Sequence, residues 1–410
     1  MPNATVLSTA LTSSRRRLFK LIFLLGILTA FAPLSTDMYL AAFPAMAADL
    51  GTDVSRVQQS LAVFFLGLAL GQLAYGPLSD RFGRKKPLMA GLLVYTLASA
   101  LLAMTRDIHY FLLLRFIQAV GGCSGMIISR AVIQDCFDLK GSARVLTLML
   151  AVQSLGPVVA PIIGAYLLSR AHWSVVFWLL TLLGIGCLTA SKLVLPETLL
   201  PEKRIKQTPK AVLAVFGQLF SKRAFLFPTL AGAIGGSAIF SFISASPFVL
   251  MTLYKLDETQ YGWTFAIISL GTSLFAQLNL VFLKKMPARR ALGLGASLLT
   301  IMNLITLVVL AASGGLPDFK VFLPLLFLSL ACIPLIFANS TALAMSNSGR
   351  FAGSASSLVG VSQFIFAGLV SFLVGIFHNG TIWPMIVAMA GCGLICLLIL
   401  TIEKILLSYQ

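Results

Sequence analysis

Long apolar segments follow one another along almost the whole chain, and short polar segments separate them. Twelve segments are apolar over roughly 20 residues, the length that an α-helix needs to cross the hydrocarbon of a bilayer. The pattern therefore predicts an all-α membrane protein with twelve transmembrane helices. These predicted spans cover residues 18–40, 57–78, 87–105, 110–134, 144–168, 174–195, 224–250, 261–283, 291–312, 321–345, 353–377 and 383–403.

One connecting segment is longer and more polar than the others. Residues 196–223 hold three prolines and eight charged side chains, and six predicted spans lie on each side of them. We therefore expect four regions along the chain. They are a cytoplasmic N-terminal tail at 1–17, a six-helix bundle at 18–195, a cytoplasmic central loop at 196–223 and a second six-helix bundle at 224–410. We expect the first span to be retained in the protein rather than removed as a signal peptide.

The distribution of charge indicates an orientation in the membrane. The chain of 410 residues is 58% hydrophobic and only 10% charged, whereas soluble domains carry about 25% charged residues. If both termini are cytoplasmic, 23 of the 30 Lys and Arg residues fall on the cytoplasmic side and five on the other side. Cytoplasmic loops carry such an excess of cations. The formal charge of +17 is thus a topology signal, and we expect no nucleic-acid partner.

Residues that could form a metal site or an enzyme active site are sparse. The six cysteines lie in or beside apolar runs without the paired spacing of a zinc site, and the three histidines fall in predicted external loops. An enzyme would need a nucleophile with a base, a metal set or an acid–base pair. A receptor would need a soluble output domain, for which these loops are too short. We therefore expect no metal, no cofactor and no enzyme activity.

The most highly charged short segment is GPLSDRFGRKKP at residues 76–87, between the second and third spans. Its cations suit a cytoplasmic loop, but a generic basic loop does not account for its acid or for the spacing of its glycines. The segment resembles the signature loop of the major facilitator superfamily nearly position for position. The matching residues are Gly76, Asp80, Arg81, Gly83 and Arg84, followed by a basic pair.

Further motifs of the same family follow along the first half. RFIQAVGG at 115–122 resembles the family's fourth-span motif of Arg, Gln and glycines. LGPVVAPIIGAYL at 155–167 resembles the fifth-span antiporter motif through Gly156, Pro157 and Gly164, but Pro161 stands where that motif usually has glycine. LPETL at 195–199 closes the first half as in drug:proton antiporters.

Three more segments resemble the Bcr/CflA group of drug exporters within that family. They are STDMYLAAFP at 35–44, SASPFVL at 244–250 and AGSASSLVGVSQF at 352–364. The resemblance implies two pseudo-symmetric six-helix bundles that rock around a central cavity in a bacterial inner membrane. It also implies a monomer whose partners are a small-molecule substrate, protons and the lipid bilayer. The second-half loop KKMPARR at 284–290 lacks the acid and the glycines, so a latch made by this loop should be one-sided.

Two opposite charges within the predicted spans are the candidate coupling site. A charged side chain in hydrocarbon costs about 2.5–3.5 kcal/mol on insertion scales and is a functional candidate by default. Asp37 and Arg115 both fall in the outer half of their spans, so we expect an ion pair in which Asp37 binds the proton. The structural alternative is a pair that only joins the first and fourth spans. Asp135 could be a partner of Arg130 or of the basic loop at 76–87.

Substrate contacts are harder to identify, because each polar or aromatic side chain in a span could equally serve helix packing. The sequence favours a proton-coupled exporter of small amphipathic compounds such as drugs. The alternative is a dedicated exporter of one endogenous metabolite, such as a siderophore or an amino-acid derivative, with the same mechanism. Our candidate substrate contacts are Tyr39, Gln118, Gln153, Phe240, Ser246, Phe248, Asn339, Gln363 and Phe364.

Overall fold

The computed structural model describes residues 15–137, 139–204 and 209–408. Helices make up most of these ranges, and no β-strand occurs within them. In chain order the helices are α1 (Arg15–Asp37), α2 (Phe43–Asp49), α3 (Val54–Phe82), α4 (Lys85–Met104), α5 (Ile108–Cys136), α6 (Leu139–Leu168), α7 (Ser174–Val194), α8 (Pro209–Phe220), α9 (Arg223–Gly236), α10 (Ala238–Ser246), α11 (Glu258–Phe282), α12 (Ala288–Ala312), α13 (Phe319–Ala331), α14 (Ile333–Ser346), α15 (Ala352–Ile376) and α16 (Trp383–Ser408).

The predicted set of membrane spans is confirmed. Within the described ranges, eleven helical segments are long and apolar enough to cross a membrane, and α6 contributes a shorter apolar stretch at Val152–Leu168 as the twelfth. Almost every predicted end lies within about five residues of the observed one, because apolar length defines a span directly. The first span is the exception, since it continues to Asp49 rather than ending at residue 40.

The first span is longer because its helix is interrupted inside the bundle. Helix α1 ends at Asp37, a 3₁₀ turn follows at Leu40–Ala42, and α2 resumes the same direction. Two spans of the second half are interrupted as well: the seventh at Ser237, before a π-helical turn at Pro247–Leu253, and the tenth at Cys332. Irregular backbone at membrane depth is tolerated where surrounding protein buries it.

The two sets of six spans meet along two pairs of helices. Helix α3 of the first set packs along α15 of the second, and α6 packs against α11. Near one end of the bundle, the Ser55 hydroxyl donates a hydrogen bond of 2.7 Å to the carbonyl oxygen of Gly375 and so joins α3 to α15. Within the first set, α1 packs against α5 and α6. The residues around the α1 interruption are therefore enclosed by helices of the first six spans, together with α11 and the π-helical turn of the second half.

The segments outside the spans were predicted as a tail and a central loop. Of the predicted tail at 1–17, residues 1–14 lie outside the described ranges, and α1 already begins at residue 15. The central segment contains α8, whose Phe216 and Leu219 pack in one apolar cluster with Leu358 and Val359 of α15. Residues 205–208 of the same segment are also outside the described ranges.

Gly164 of α6 allows the interrupted part of the first span to lie directly against the fifth span. A Cβ atom at this position would overlap the carbonyl oxygen of Met38, the residue that follows Asp37. A backbone atom cannot move aside as the end of a side chain can. Glycine in the antiporter motif is thus a packing requirement of the α1 interruption.

We expect Gly164→Ala to destabilise the protein by about 1–3 kcal/mol, the usual cost of overpacking a close contact. The matched control is Gly186→Ala in α7, where an added Cβ meets no atom within 4 Å. Thermal unfolding of the two purified variants in detergent measures the difference. Equal stability of the two variants would contradict the close contact between α6 and Met38.

Candidate functional site

Asp37 is a buried acid at the last position of α1, with 3% of its surface exposed. The hydroxyl of Thr36 donates a hydrogen bond of 2.8 Å to Oδ1 of this carboxyl group. The position is electrostatically unusual, because the unpaired carbonyl groups at a helix C-terminus carry partial negative charge. A second negative charge at this point is disfavoured unless a cation or a proton neutralises it.

Arg115 of α5 is fully buried and lies between aromatic rings. Its guanidinium carbon is 4.2 Å from the ring centroid of Phe64 and 4.5 Å from that of Tyr39. Nη1 donates a hydrogen bond to Oε1 of Gln118, one turn further along α5. Among the described residues, Nε and Nη2 have no hydrogen-bond partner. The cation is therefore held by ring faces and one amide, with two donor groups unused.

The predicted ion pair between Asp37 and Arg115 is not formed in this conformation, although both residues lie in the described ranges. Each group is bonded to a neighbour on its own helix, Asp37 to Thr36 and Arg115 to Gln118. The two charges share one half of the bundle without direct contact.

A chain of buried hydrogen bonds connects the fourth, third and first spans around this pair. Nε2 of Gln118 donates to the Ser99 hydroxyl at 2.8 Å, which in turn donates to the carbonyl oxygen of Tyr95 at 2.7 Å. The Tyr95 hydroxyl bonds Ser35, two residues before Asp37, at 2.8 Å. Sequence reasoning missed Ser99, Tyr95 and Ser35, because small polar residues are common between membrane helices.

Tyr39 and Gln118 were predicted as substrate contacts, and the structure places both among the helices of the first six spans. Both side chains are fully buried. The Tyr39 hydroxyl forms a hydrogen bond of 2.7 Å with Ser60 of α3, while its ring contacts Arg115. In this conformation the two side chains surround the cation instead of lining an open surface.

Two of the predicted aromatic contacts meet between the two halves. The ring centroids of Phe240 and Phe364 lie 4.6 Å and 6.4 Å from that of Phe65 in α3. Phe240 and Phe364 are half-buried, as are Gln363 on α15 and Gln153 on α6. The sequence did not indicate Phe65. The chain has 30 phenylalanines, and nothing in an apolar span distinguishes one of them from the others.

The remaining predicted substrate contacts are buried or bonded within the second half. The Ser246 hydroxyl bonds the Tyr261 hydroxyl at 2.9 Å, and Nδ2 of Asn339 donates to Oδ1 of Asn279 at 2.8 Å. The ring of Phe248 meets that of His378 edge-on, with centroids 4.3 Å apart. Ser246 and Asn339 thus lie in the second-half interior, whereas Phe248 lines a cavity at the junction of the halves together with Ser55 and Gln59 of α3.

Arg84 is the centre of the signature loop. Nε donates to Oδ2 of Asp135 at 2.8 Å, and Nη1 donates to Asp80 and, at 3.0 Å, to Ser79. Asp135 therefore pairs with the basic loop, one of the two predicted partners, and not with Arg130. Burial opposes the charge of Arg84, but the bonds and charges of Asp135 and Asp80 outweigh it and raise the pKa of the guanidinium above its ordinary value.

Glu197 of the LPETL segment closes the same cluster. Its carboxylate accepts hydrogen bonds from the backbone N–H groups of Arg84 at 2.8 Å and Lys85 at 3.2 Å, at the start of α4. Helix N-termini favour negative charge, and their first N–H groups lack partners within the helix. Gly83 has a φ of +89°, and a Cβ there would overlap the Glu197 carboxylate. Two motifs that were recognised separately thus form one contact.

The second half repeats this acid contact with other residues. Nη2 of Arg289, at the start of α12, donates to Oε1 of Glu403 near the end of α16. Helices α12 and α16 are the third and sixth spans of the second half. In the first half the corresponding contact joins α4, the third span, to the segment that follows α7, the sixth span. The loop at 284–290 lost the acid and the glycines, yet it carries an acid–base contact. The one-sided latch that the sequence suggests stays a prediction, because Arg289 and Glu403 both lie in the second half.

The other motif residues lie in α3, α5 and α6. Arg81 is exposed and its guanidinium stacks on the Phe82 ring at 5.2 Å. Arg130 is half-buried in α5, and Gly76 faces Ser357 of α15. Gly156, Pro157 and Pro161 lie within the continuous helix α6. In the described part of the chain no group of three His, Cys, Asp or Glu residues could hold a metal ion.

Twelve apolar spans in two related halves define a polytopic membrane protein. The chain belongs to the Major Facilitator Superfamily, whose model matches residues 25–371. It is therefore a transporter and not an enzyme.

Individual relatives and one solved structure agree with this family. The bicyclomycin resistance protein homolog of Haemophilus influenzae is 29% identical over 387 residues, covering 94% of this chain and 96% of the relative. The multidrug resistance protein MdtL of Citrobacter koseri is 28% identical over 376 residues, covering 90% and 92%. The crystal structure of a D-xylose-proton symporter superposes with a TM-score of 0.73 at 12% identity, covering 92% and 97%.

We expect Arg84→Ala to destabilise the protein by about 2–4 kcal/mol, because removing one partner of a largely buried charge pair leaves the other charge uncompensated. Arg81→Ala in the last turn of α3 is the control, and an exposed substitution there should change stability by less than about 0.5 kcal/mol. Thermal unfolding in detergent compares them. A loss of the same size in both variants would show that the Arg84 contacts contribute nothing specific.

Proposed function

We propose that this protein exports small amphipathic compounds across a bacterial inner membrane in exchange for protons. Relatives that carry the names of bicyclomycin and multidrug resistance support the class of substrate. The antiporter motif in α6 supports the direction of transport. The observation that carries the proton coupling is Asp37, an acid with 3% exposure at the end of an interrupted membrane helix.

The proposed coupling step is the binding of one proton to the Asp37 carboxylate. An ionised carboxylate in an apolar interior is costly, so it binds a proton or approaches a cation. Arg115 is a buried cation in the fourth span of the same half, and its Nε and Nη2 atoms have no hydrogen-bond partner among the described residues. Loss of the proton would create an attraction between the two groups that the protonated acid lacks. That difference is what biases one conformation over another.

The proposed movement is a rocking of the two halves about the contacts of α3 with α15 and of α6 with α11. The Arg84 cluster joins the second, third, fourth and sixth spans of the first half, so these helices would move together. The excess of cations assigns the end that carries Arg84 to the cytoplasm, with both termini on that side. A membrane potential adds about 2.3 kcal/mol per 100 mV to the driving force for each elementary charge that crosses the membrane.

The proposed substrate surface lies where Phe65, Phe240 and Phe364 meet between the halves. Ligand pockets combine apolar walls with a few polar groups. Half-buried Gln363 on α15 supplies a polar group next to Phe364, and its Nε2 makes only a long contact of 3.5 Å with Thr341. Such a surface suits a compound with an aromatic or aliphatic body and a polar end.

Asp37→Asn should abolish the uptake of substrate into inverted vesicles under an imposed pH gradient, because an amide cannot carry the proton. Asp107→Asn is the matched control, since Asp107 caps the start of α5 and asparagine caps a helix equally well. A panel of amphipathic antibiotics and dyes supplies the substrates. Full gradient-driven uptake by Asp37→Asn, with normal proton release on substrate addition, would refute the proposed coupling. A response to only one compound would indicate a dedicated exporter.

Phe240→Ala should raise the KM for amphipathic substrates by about threefold to tenfold, because an aromatic contact is worth about 0.5–1.5 kcal/mol beyond buried area. Phe372→Ala is the control, since this ring on α15 is 42% exposed on the outside of the bundle. The concentration dependence of uptake gives KM for each variant. An unchanged KM for every compound tested would remove Phe240 from the substrate surface.

A further inference from the structure

The environment of Arg115 is unusual for a buried cation. A buried donor without a hydrogen-bond partner is costly, and this guanidinium has two such nitrogens among the described residues. Stacking on aromatic faces offsets part of the cost, because the ring quadrupole attracts a cation. Through these unused donors, Arg115 can donate hydrogen bonds to a carboxylate without breaking its bond to Gln118.

Tyr39 connects the two ionisable groups of the site. It follows Asp37 by two residues in the interrupted part of the first span, and its ring lies 4.5 Å from the guanidinium carbon of Arg115. Its hydroxyl is bonded to Ser60 of α3, which fixes the ring from the far side. A change of backbone at Asp37 therefore acts directly on the ring that covers the cation.

We propose that Tyr39 is a positioning residue that holds the Arg115 guanidinium away from Asp37 while the acid carries its proton. This inference rests on the proposed proton coupling at Asp37. When the acid is neutral, the ring faces are the strongest attraction available to the cation. When the proton leaves, the full negative charge of the carboxylate competes with the rings and, in an interior of low dielectric constant, exceeds them. The guanidinium then moves to Asp37 through its unused nitrogens.

The inference predicts a shift in the pH dependence of transport when the ring is removed. Without the ring, the guanidinium approaches the carboxylate at all times and favours its ionised form. Proton binding then needs a higher proton concentration. The pH of half-maximal gradient-driven export should therefore move downward by about one unit in Tyr39→Leu. Tyr39→Phe retains the ring and should shift by much less, to the same extent as Ser60→Ala.

Two further variants separate this role from ordinary packing. Phe64→Leu removes the ring nearest to the guanidinium carbon, from a different helix, and should shift the profile in the same direction as Tyr39→Leu. Phe322→Leu is the control, since it removes a fully buried ring of α13 that packs on Tyr254 in the second half. It should lower the amount of folded protein without moving the pH of half-maximal export.

The experiment measures uptake of one amphipathic dye into inverted vesicles, which corresponds to export from a cell, across a range of pH. The uptake is normalised to the amount of this protein in each vesicle preparation. A downward shift in Tyr39→Leu and Phe64→Leu, absent in Phe322→Leu, supports the inference. Unshifted profiles in both ring-loss variants at the guanidinium overturn it. Asp37→Asn is measured in parallel. If Asp37→Asn exports like the unmodified protein, the proposed coupling fails. If Asp37→Asn is uncoupled but the profiles of the ring-loss variants are unshifted, only the role of Tyr39 fails.

Discussion

An apolar helical bundle offers a charge neither water nor counter-ions, so the buried Asp37 and Arg115 constrain the groups packed around them. The structure meets this constraint in two different ways. Arg115 is covered by the faces of Phe64 and Tyr39 and bonded to Gln118, which disperses its charge over polarisable groups. Asp37 lies at the end of a helix with a hydroxyl donor from Thr36. In neither arrangement does a direct ion pair form, and the proposed proton coupling at Asp37 rests on this.

The interruption of the first span is what places Asp37 and Tyr39 at this site. A continuous helix turns by about 100° per residue and would point residues 37 and 39 in nearly opposite directions. The turn at residues 38–42 changes that direction, and it fits only because Gly164 of α6 leaves room for the carbonyl oxygen of Met38. A packing feature of the fifth span therefore shapes the surroundings of Asp37 on the first.

At the end of the bundle that carries Arg84, both halves use the same electrostatic principle. A glutamate that follows or ends the sixth span contacts the start of the third, through backbone N–H groups for Glu197 and through the Arg289 side chain for Glu403. The first half adds Arg84, Asp80 and Asp135. Contacts of this kind join helices of one half that are distant in sequence.

The sequence alone determined the number, length and order of the spans, because the length of an apolar run is a local property that the bilayer reads directly. It also identified Asp37 and Arg115 as the exceptional charges and Arg84 as part of a distinctive loop. It did not determine which groups meet. The hydroxyl of Ser60 on Tyr39, the ring of Tyr39 on Arg115, Phe65 between Phe240 and Phe364, and Glu197 on the start of α4 all join residues from different helices. Such contacts depend on how helices rotate and approach one another, which only the tertiary structure decides, because a helix presents several faces and its sequence does not state which neighbour covers each one.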